Sequence, residues 1–420
     1  MRTKTSKLDQ TENQEKSVSA VEETTKPISE LEKGIYFALE TYSNVHRGSG
    51  HNSMVSTQLY EQARDIVLEF LGLKKGKYIV IFCTPRGAHN FIKQLNRNSY
   101  QLVSSKDIGI SLGIRAIAVK RNDLPKGIPM QTGGGTTKLI SKDWIIWADA
   151  PDKFEAGTPS IINVIAFARA LQLIRKYGND ILQNQTYTKL TAEDILYNDE
   201  LKKYEGKELL IELRKTLIGL DIKVPTMEGL RSVINLDNSA STPTFEPVWN
   251  AYRHALNQPE NIKNDVIVEV KSIIADVLDA PKDDYDVVFI SSTTEAINLV
   301  AESIGTEAED GFESVILNTL LEHSSNDLPW RMIPGHSLIR LNVDTNGFID
   351  FNELETTLSD YNENEKYGKK RIKLVAVSGA SNVLGVCNNI EEISSLAHKF
   401  GARILVDAAQ LVAHRRVDIK

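Results

Sequence analysis

The chain has 420 residues, 41% hydrophobic and 25% charged, the balance of an ordinary soluble protein with room for two or three buried cores. Its 49 basic and 56 acidic side chains leave a formal net charge of −7, which argues against nucleic acid as a general partner. Cys83 and Cys387 stand far apart with no CxxC spacing, so neither a disulfide framework nor a zinc site is suggested, and a reducing, cytoplasmic setting fits best.

In chain order, residues 1–30 are rich in Lys, Thr, Glu and Gln and hold no apolar stretch that could serve as a signal sequence. They predict a solvated, disordered tail. Residues 31–180 mix two periodicities. Leu59, Ala63, Ile66, Val67 and Phe70 recur at helical spacing, and Tyr78–Phe82 is a short apolar run of β character. Thr132–Thr137 (TGGGTT) is a glycine turn before a strand at Trp144–Trp147. The most apolar helical stretch, Ile161–Ile174, is interrupted by Asn163 and Arg169 and falls short of the roughly 20 residues needed to cross a bilayer. It is predicted as a core helix, and no membrane partner is expected. Residues 181–233, with a polar helical stretch at Thr191–Leu217, look like a connector.

Residues 234–420 alternate as βαβ units do. Strands are predicted at Val287–Ile290, Val315–Asn318, Leu374–Val377 and Arg403–Val406, with helices at Thr294–Ile304 and Ile390–Phe400. Near-continuous apolar strands between amphipathic helices imply an α/β fold, its sheet mainly parallel and covered by helices on both faces. Such sheets bind ligands at the carboxyl ends of their strands, where the chemically interesting residues of this block stand.

Three strand ends carry them. Ser291-Ser292-Thr293-Thr294-Glu295-Ala296 offers hydroxyls, backbone N–H groups and a helix start to an anion, although plain N-capping explains the same residues. His323, in Leu321-Glu322-His323-Ser324-Ser325-Asn326, could stack on a flat ring and move a proton, or be structural. Asp407 ends the apolar run Ile404–Val406, a costly place for an anion unless a cation or hydrogen bonds meet it. A protonated pyridine nitrogen would be such a cation; capping the next turn is the alternative. Gln410 and His414 follow on the same stretch.

Order and spacing together are more specific than any single signal. INLDNSAST (Ile234–Thr242), SSTTEAINLV (Ser291–Val300), LEHSSNDLPW (Leu321–Trp330), SGASNVLG (Ser378–Gly385) and LVDAAQLVAH (Leu405–His414) resemble the class V aminotransferase family, most closely its cysteine desulfurase and selenocysteine lyase branch. The resemblance implies a fold-type I domain for pyridoxal 5'-phosphate (PLP). By the family pattern Thr293 and Thr294 would hold the phosphate and His323 would stack on the ring. Asn382 and Gln410 would bind near the ring hydroxyl, and Asp407 would pair with the pyridine nitrogen. The family's Schiff-base lysine, in an SHK-like string, has no match between Asp407 and Lys420, so this block is expected to be cut off before it.

The first block resembles the same family in pieces. YSNVHRGSGHNS (Tyr42–Ser53) looks like its SNxHRG loop and YEQAR (Tyr60–Arg64) like the helix after it. CTPRGAHNFI (Cys83–Ile92) stands where a phosphate loop would be, with Pro85 and Arg86 in place of its Gly-Thr-Thr character. SSKDIGISLGIRAIAVK (Ser104–Lys120) looks like the lysine region and puts Lys106 at the Schiff-base position, with a surface lysine as the alternative. GGGTT (Gly133–Thr137) and FEAGTP (Phe154–Pro159) match a later, dimer-facing part, with Lys153 where Arg is common. The resemblance thus implies a PLP-dependent transferase or lyase acting on a small amino acid, as a homodimer. Neither cysteine suits a persulfide-forming loop, so desulfuration has no advantage over other lyase or transferase chemistry. A non-catalytic or incomplete scaffold, acting by binding or dimerisation, is the alternative.

Overall fold

The computed structural model describes residues 27–46, 48–182, 189–307 and 311–419. Of the tail expected over residues 1–30, the first 26 lie outside the described residues, and residues 27–30 already belong to a helix running to residue 40. Contacts divide the chain into two compact units. One joins the residues up to Leu124 with Ser160–Val270; the other joins Pro125–Pro159 with Lys271–Lys420.

In the first unit, helix α1 (His51–Phe70) buries Ser53, Ser56, Tyr60, Ala63, Arg64, Val67 and Leu68, one stripe at helical spacing. Strands β1 (Tyr78–Cys83), β2 (Tyr100–Ser104) and β3 (Arg115–Lys120) form an antiparallel sheet in the order β1-β3-β2, with Val80 opposite Ala118. Ten residues join β2 to β3, enough for a turn but short for the crossover that parallel neighbours require. Helix α2 (Ile161–Tyr177) is the predicted core helix: Phe167, Leu171 and Ile174 pack with Tyr60, Val67, Val80 and Ala118 in one cluster. Residues 192–232, expected as part of a connector, lie within the first unit and form helices Ala192–Leu196 and Gly206–Lys215 and an antiparallel hairpin, Lys223–Thr226 with Gly229–Ser232.

The second unit is an α/β layer structure. Strands β4 (Glu313–Thr319), β5 (Ser337–Leu341), β6 (Lys370–Ser378) and β7 (Arg403–Asp407) form a wholly parallel sheet in the order β7-β6-β4-β5. Successive side chains leave opposite faces. Ile316, Leu374 and Ala376 pack with Ile297, Ala301 and Ile304 of helix α3 (Thr293–Thr306). Val315, Leu317, Val375 and Val377 pack with Leu354 and Leu358 of α4 (Phe351–Asn362) and Ile393 and Ala397 of α5 (Ile390–Lys399). Both faces are covered, as the continuous apolar strands predict. Pro125–Pro159, flanked in sequence by first-unit residues, contributes a hairpin of Thr137–Ile140 and Ile145–Trp147.

One predicted strand is absent. Val287–Ile290 has the composition of a strand but no ladder partner, and Val288 and Phe289 are exposed. Apolar character alone does not make a strand; its N–H and C=O groups need a neighbouring chain. Among the described residues no helix is long and apolar enough to cross a membrane.

Candidate functional site

The site is built where the parallel sheet of the second unit ends and α3 begins. Ser292 caps that helix, its hydroxyl accepting the Glu295 N–H at 3.2 Å, so the capping reading of the hydroxyl run holds at this position. Thr293 opens the first turn and is half-buried. Thr294 is buried, and its hydroxyl lies 2.6 Å from that of Ser325, which follows His323 by two residues.

The Pro125–Pro159 segment lies across this helix start. Thr132 and Asn298 exchange two hydrogen bonds: the Thr132 N–H donates to Asn298 Oδ1 at 3.0 Å, and Asn298 Nδ2 donates to the Thr132 carbonyl at 2.8 Å. The Gly134 N–H donates to Ser325 Oγ at 3.3 Å, and the Gly157 N–H donates to the Gly134 carbonyl at 2.8 Å, tying FEAGTP to GGGTT. A β-carbon on Gly133 would stand 2.5 Å from Thr294 Cγ2, and φ is +152° there, so only glycine lets the backbone come this close. Beside it, Thr132 Oγ1 is buried without a hydrogen-bond partner among the described residues.

At the end of β4, His323 caps a single 3-10 turn, Ser324–Asn326. Its Nδ1 accepts the Ser325 N–H at 3.2 Å, which leaves the proton of a neutral imidazole on Nε2. The residue before it, Glu322, turns inward. Its carboxylate accepts from Thr319 Oγ1 at 2.7 Å, Ser378 Oγ at 2.7 Å and Asn326 Nδ2 at 2.6 Å. Burial pushes this carboxyl above its usual range, against the pull of those bonds.

At the end of β7, Asp407 is 7% exposed and stands opposite Ser378 in the parallel ladder. Its Oδ1 accepts the Ala409 N–H at 3.1 Å, and among the described residues it has no ion-pair partner. A buried carboxylate without a cation is costly. Gln410, half-buried, precedes the short helix Leu411–His414, and Asn382 is exposed in the turn between Ser381 and Val386.

These residues fit PLP. A cation-free buried acid at the carboxyl edge of the sheet suits a protonated ring nitrogen, and a hydroxyl-rich helix start with an orphaned buried hydroxyl beside it suits a phosphate. Thr293, Thr294, His323, Asn382, Asp407 and Gln410 all belong to the second unit. Lys106 belongs to the first, exposed in the turn after β2, its N–H donating to Ser104 Oγ at 3.1 Å. A cleft of about 1210 Å³ in the first unit, floored by Ser43, Asn44 and Phe245, is lined by none of the predicted site residues.

Sequence reasoning passed over Glu322, Ser325 and Asn298, and the close approach of Gly133 and Gly157 to Thr294. Glu322 stands next to His323, but its partner Ser378 is 56 residues away, so no local pattern announces the bond. Asn298 and Thr132 are 166 residues apart.

Residues 103–210 and 234–420, more than half of the chain, match the family model described as Aminotransferase class-V. A cysteine desulfurase of Synechococcus elongatus is 32% identical over 204 residues, covering 45% of this chain and 31% of that protein. A probable cysteine desulfurase of Pyrococcus abyssi is 33% identical over 207 residues, covering 45% and 47%. Among solved structures, the apo cysteine desulfurase of Thermococcus onnurineus NA1 shares 29% identity over half of each chain, with a TM-score of 0.40. The chain spans less than half the length of the curated relatives it matches.

Proposed function

Since the chain belongs to the class-V aminotransferase family, we propose that its second unit binds PLP and that the protein acts on a small amino acid, as a cysteine desulfurase or selenocysteine lyase does, or by amino transfer. The observation that carries the reading is Asp407, a buried carboxylate with no ion-pair partner among the described residues. PLP, when bound, supplies an electron sink that eases bond breaking at the amino acid's Cα. Asp407 would keep the ring nitrogen protonated. His323 would lie against the ring with Nε2–H as its donor, and Gln410 and Asn382 would meet the ring hydroxyl. Thr293, Thr294 and the N–H groups at the start of α3 would hold the phosphate. The resemblance also carries a homodimer, and the two widely separated cysteines favour a reducing, cytoplasmic setting.

The test is PLP titration of the full chain, followed by visible absorbance, then borohydride reduction and peptide mapping. The expected result is a saturable chromophore, lost in Asp407→Ala, and a single labelled lysine; Lys106 is the amine that the motif nominates. A protein that stays colourless at saturating PLP overturns the reading and leaves a scaffold acting by binding or dimerisation.

A further inference from the structure

We infer that Glu322 is a positioning residue for His323, fixing the turn that carries the imidazole to the ends of two strands; the role rests on the PLP reading of this site. Both carboxylate oxygens are engaged, and each donor has a reason to face them. The Thr319 hydroxyl already accepts the Leu321 N–H at 3.1 Å, so its own hydrogen is left to donate to Glu322. Asn326 Oδ1 accepts the indole N–H of buried Trp330 at 3.0 Å, which orients the amide so that Nδ2 meets Glu322. Ser378, at the end of β6, donates the third bond. One side chain thus joins the ends of β4 and β6 to the turn Ser324–Asn326. His323 stands inside that loop of bonds, its carbonyl accepting the Asn326 N–H at 2.8 Å and its Nδ1 the Ser325 N–H.

For stability alone a carboxylate is a poor choice here. The other residues around the small void it faces are Thr319 and Leu321 from β4 and its end, Val343, Gly347 and Ile349 from the stretch before α4, and Ser378, Ser381, Val386 and Asn388 from the end of β6 and the turn after it. None is titratable or charged, so on this side the half-buried charge is met by hydrogen bonds alone. A carboxylate does offer what these donors need together, an acceptor with two oxygens and no hydrogen of its own. The ring is thereby held by the fold before any ligand arrives.

The experiment uses the full chain with ring-15N histidine, recorded without PLP, with His323→Asn identifying the His323 signals among the eight histidines. Glu322→Ala is expected to shift or broaden the His323 ring signals and leave the other histidines in place. Glu322→Gln is expected to keep them near wild type, since its carbonyl oxygen can accept from Ser378 and Asn326 while the Thr319 hydroxyl turns to accept from its amide. PLP titration should then show about a tenfold weaker Kd for Glu322→Ala, the loss of about one charge-assisted bond, largely recovered in Glu322→Gln. His323 signals of Glu322→Ala that superimpose on wild type overturn the inference, whatever PLP does. A wild-type protein that ignores PLP sinks the cofactor reading and leaves the ring comparison still decisive. If Glu322→Ala does not fold, Ser378→Ala takes its place: it removes one donor and should move the same signals, and their failure to move overturns the inference equally.

Discussion

Gly157 and Thr294 approach so closely that a β-carbon on Gly157 would stand 2.8 Å from Thr294 Oγ1 and 2.9 Å from Thr294 Cβ. The φ of Gly157 is +85°, so a side chain there meets backbone strain as well as the clash. Strain at a non-glycine residue of this kind costs about 1–3 kcal/mol, and overpacking adds about as much. Gly157→Ala should therefore destabilise the second unit by roughly 2–6 kcal/mol in denaturant unfolding and weaken PLP binding. Gly127→Ala, in the same segment but with open space around it, should stay within about 0.5 kcal/mol of wild type.

Asp407 predicts a separation of stability from binding. The bond that its Oδ1 accepts from the Ala409 N–H can be kept by asparagine, whose amide need not be desolvated as a charge. Asp407→Asn should unfold, without PLP, at the same temperature as wild type or higher. Its Kd for PLP should rise by about tenfold or more, because a neutral amide does not hold a proton on the ring nitrogen. A loss of thermal stability with unchanged Kd would mean that the carboxylate serves the fold instead.

The second unit was largely legible because its strands are apolar on both faces. Val315–Asn318, Leu374–Val377 and Arg403–Val406 lie inside observed parallel strands, and helix Ile390–Phe400 differs from the observed one by a single residue. Val287–Ile290 misled because composition reports burial and β-propensity, while a strand also needs a hydrogen-bonding neighbour, which no local window reveals. The placement of Thr132–Pro159 on α3 was invisible for a similar reason: Thr132 and Asn298 are joined by two hydrogen bonds yet lie far apart in sequence. The motif residues at strand ends were found by order along the chain. Glu322 was not, since its bond to Ser378 depends on another strand arriving beside it.

Arg64 should be the most sensitive charged position of the first unit. It is 5% exposed, donates to the Val80 carbonyl at 2.8 Å and to Glu61 Oε1 at 2.9 Å, and its guanidinium lies 4.9 Å from the Tyr60 ring centroid. Arg64→Ala should cost about 3 kcal/mol or more, through the stranded carbonyl and the lost packing. Arg64→Lys should recover only part, because an ammonium lacks the planar fork. Equilibrium denaturation of both variants measures the difference.

Glu61 and Glu322 should respond to pH in opposite directions. Burial pushes the Glu61 carboxyl up, but His46 and Arg64 outweigh it and hold the group down at about 2, against 4.5 for a free side chain. A depressed carboxyl stabilises the fold above pH 4.5 and loses that contribution as pH falls towards 2. Because the Glu61 side chain is 46% exposed, the effect should stay below about 1 kcal/mol. Glu322 is raised above 4.5 by burial, so its contribution is fully present below pH 4.5 and is lost as pH rises through its folded value. Thermal unfolding from pH 3 to pH 8 should therefore show the Glu61→Gln deficit shrinking as pH falls from 4.5 towards 3. Glu322→Gln should be at least as stable as wild type at neutral pH and draw level with it below pH 4.5. If Glu322→Gln were instead the weaker protein at neutral pH, the three hydrogen bonds would outweigh the burial of the charge.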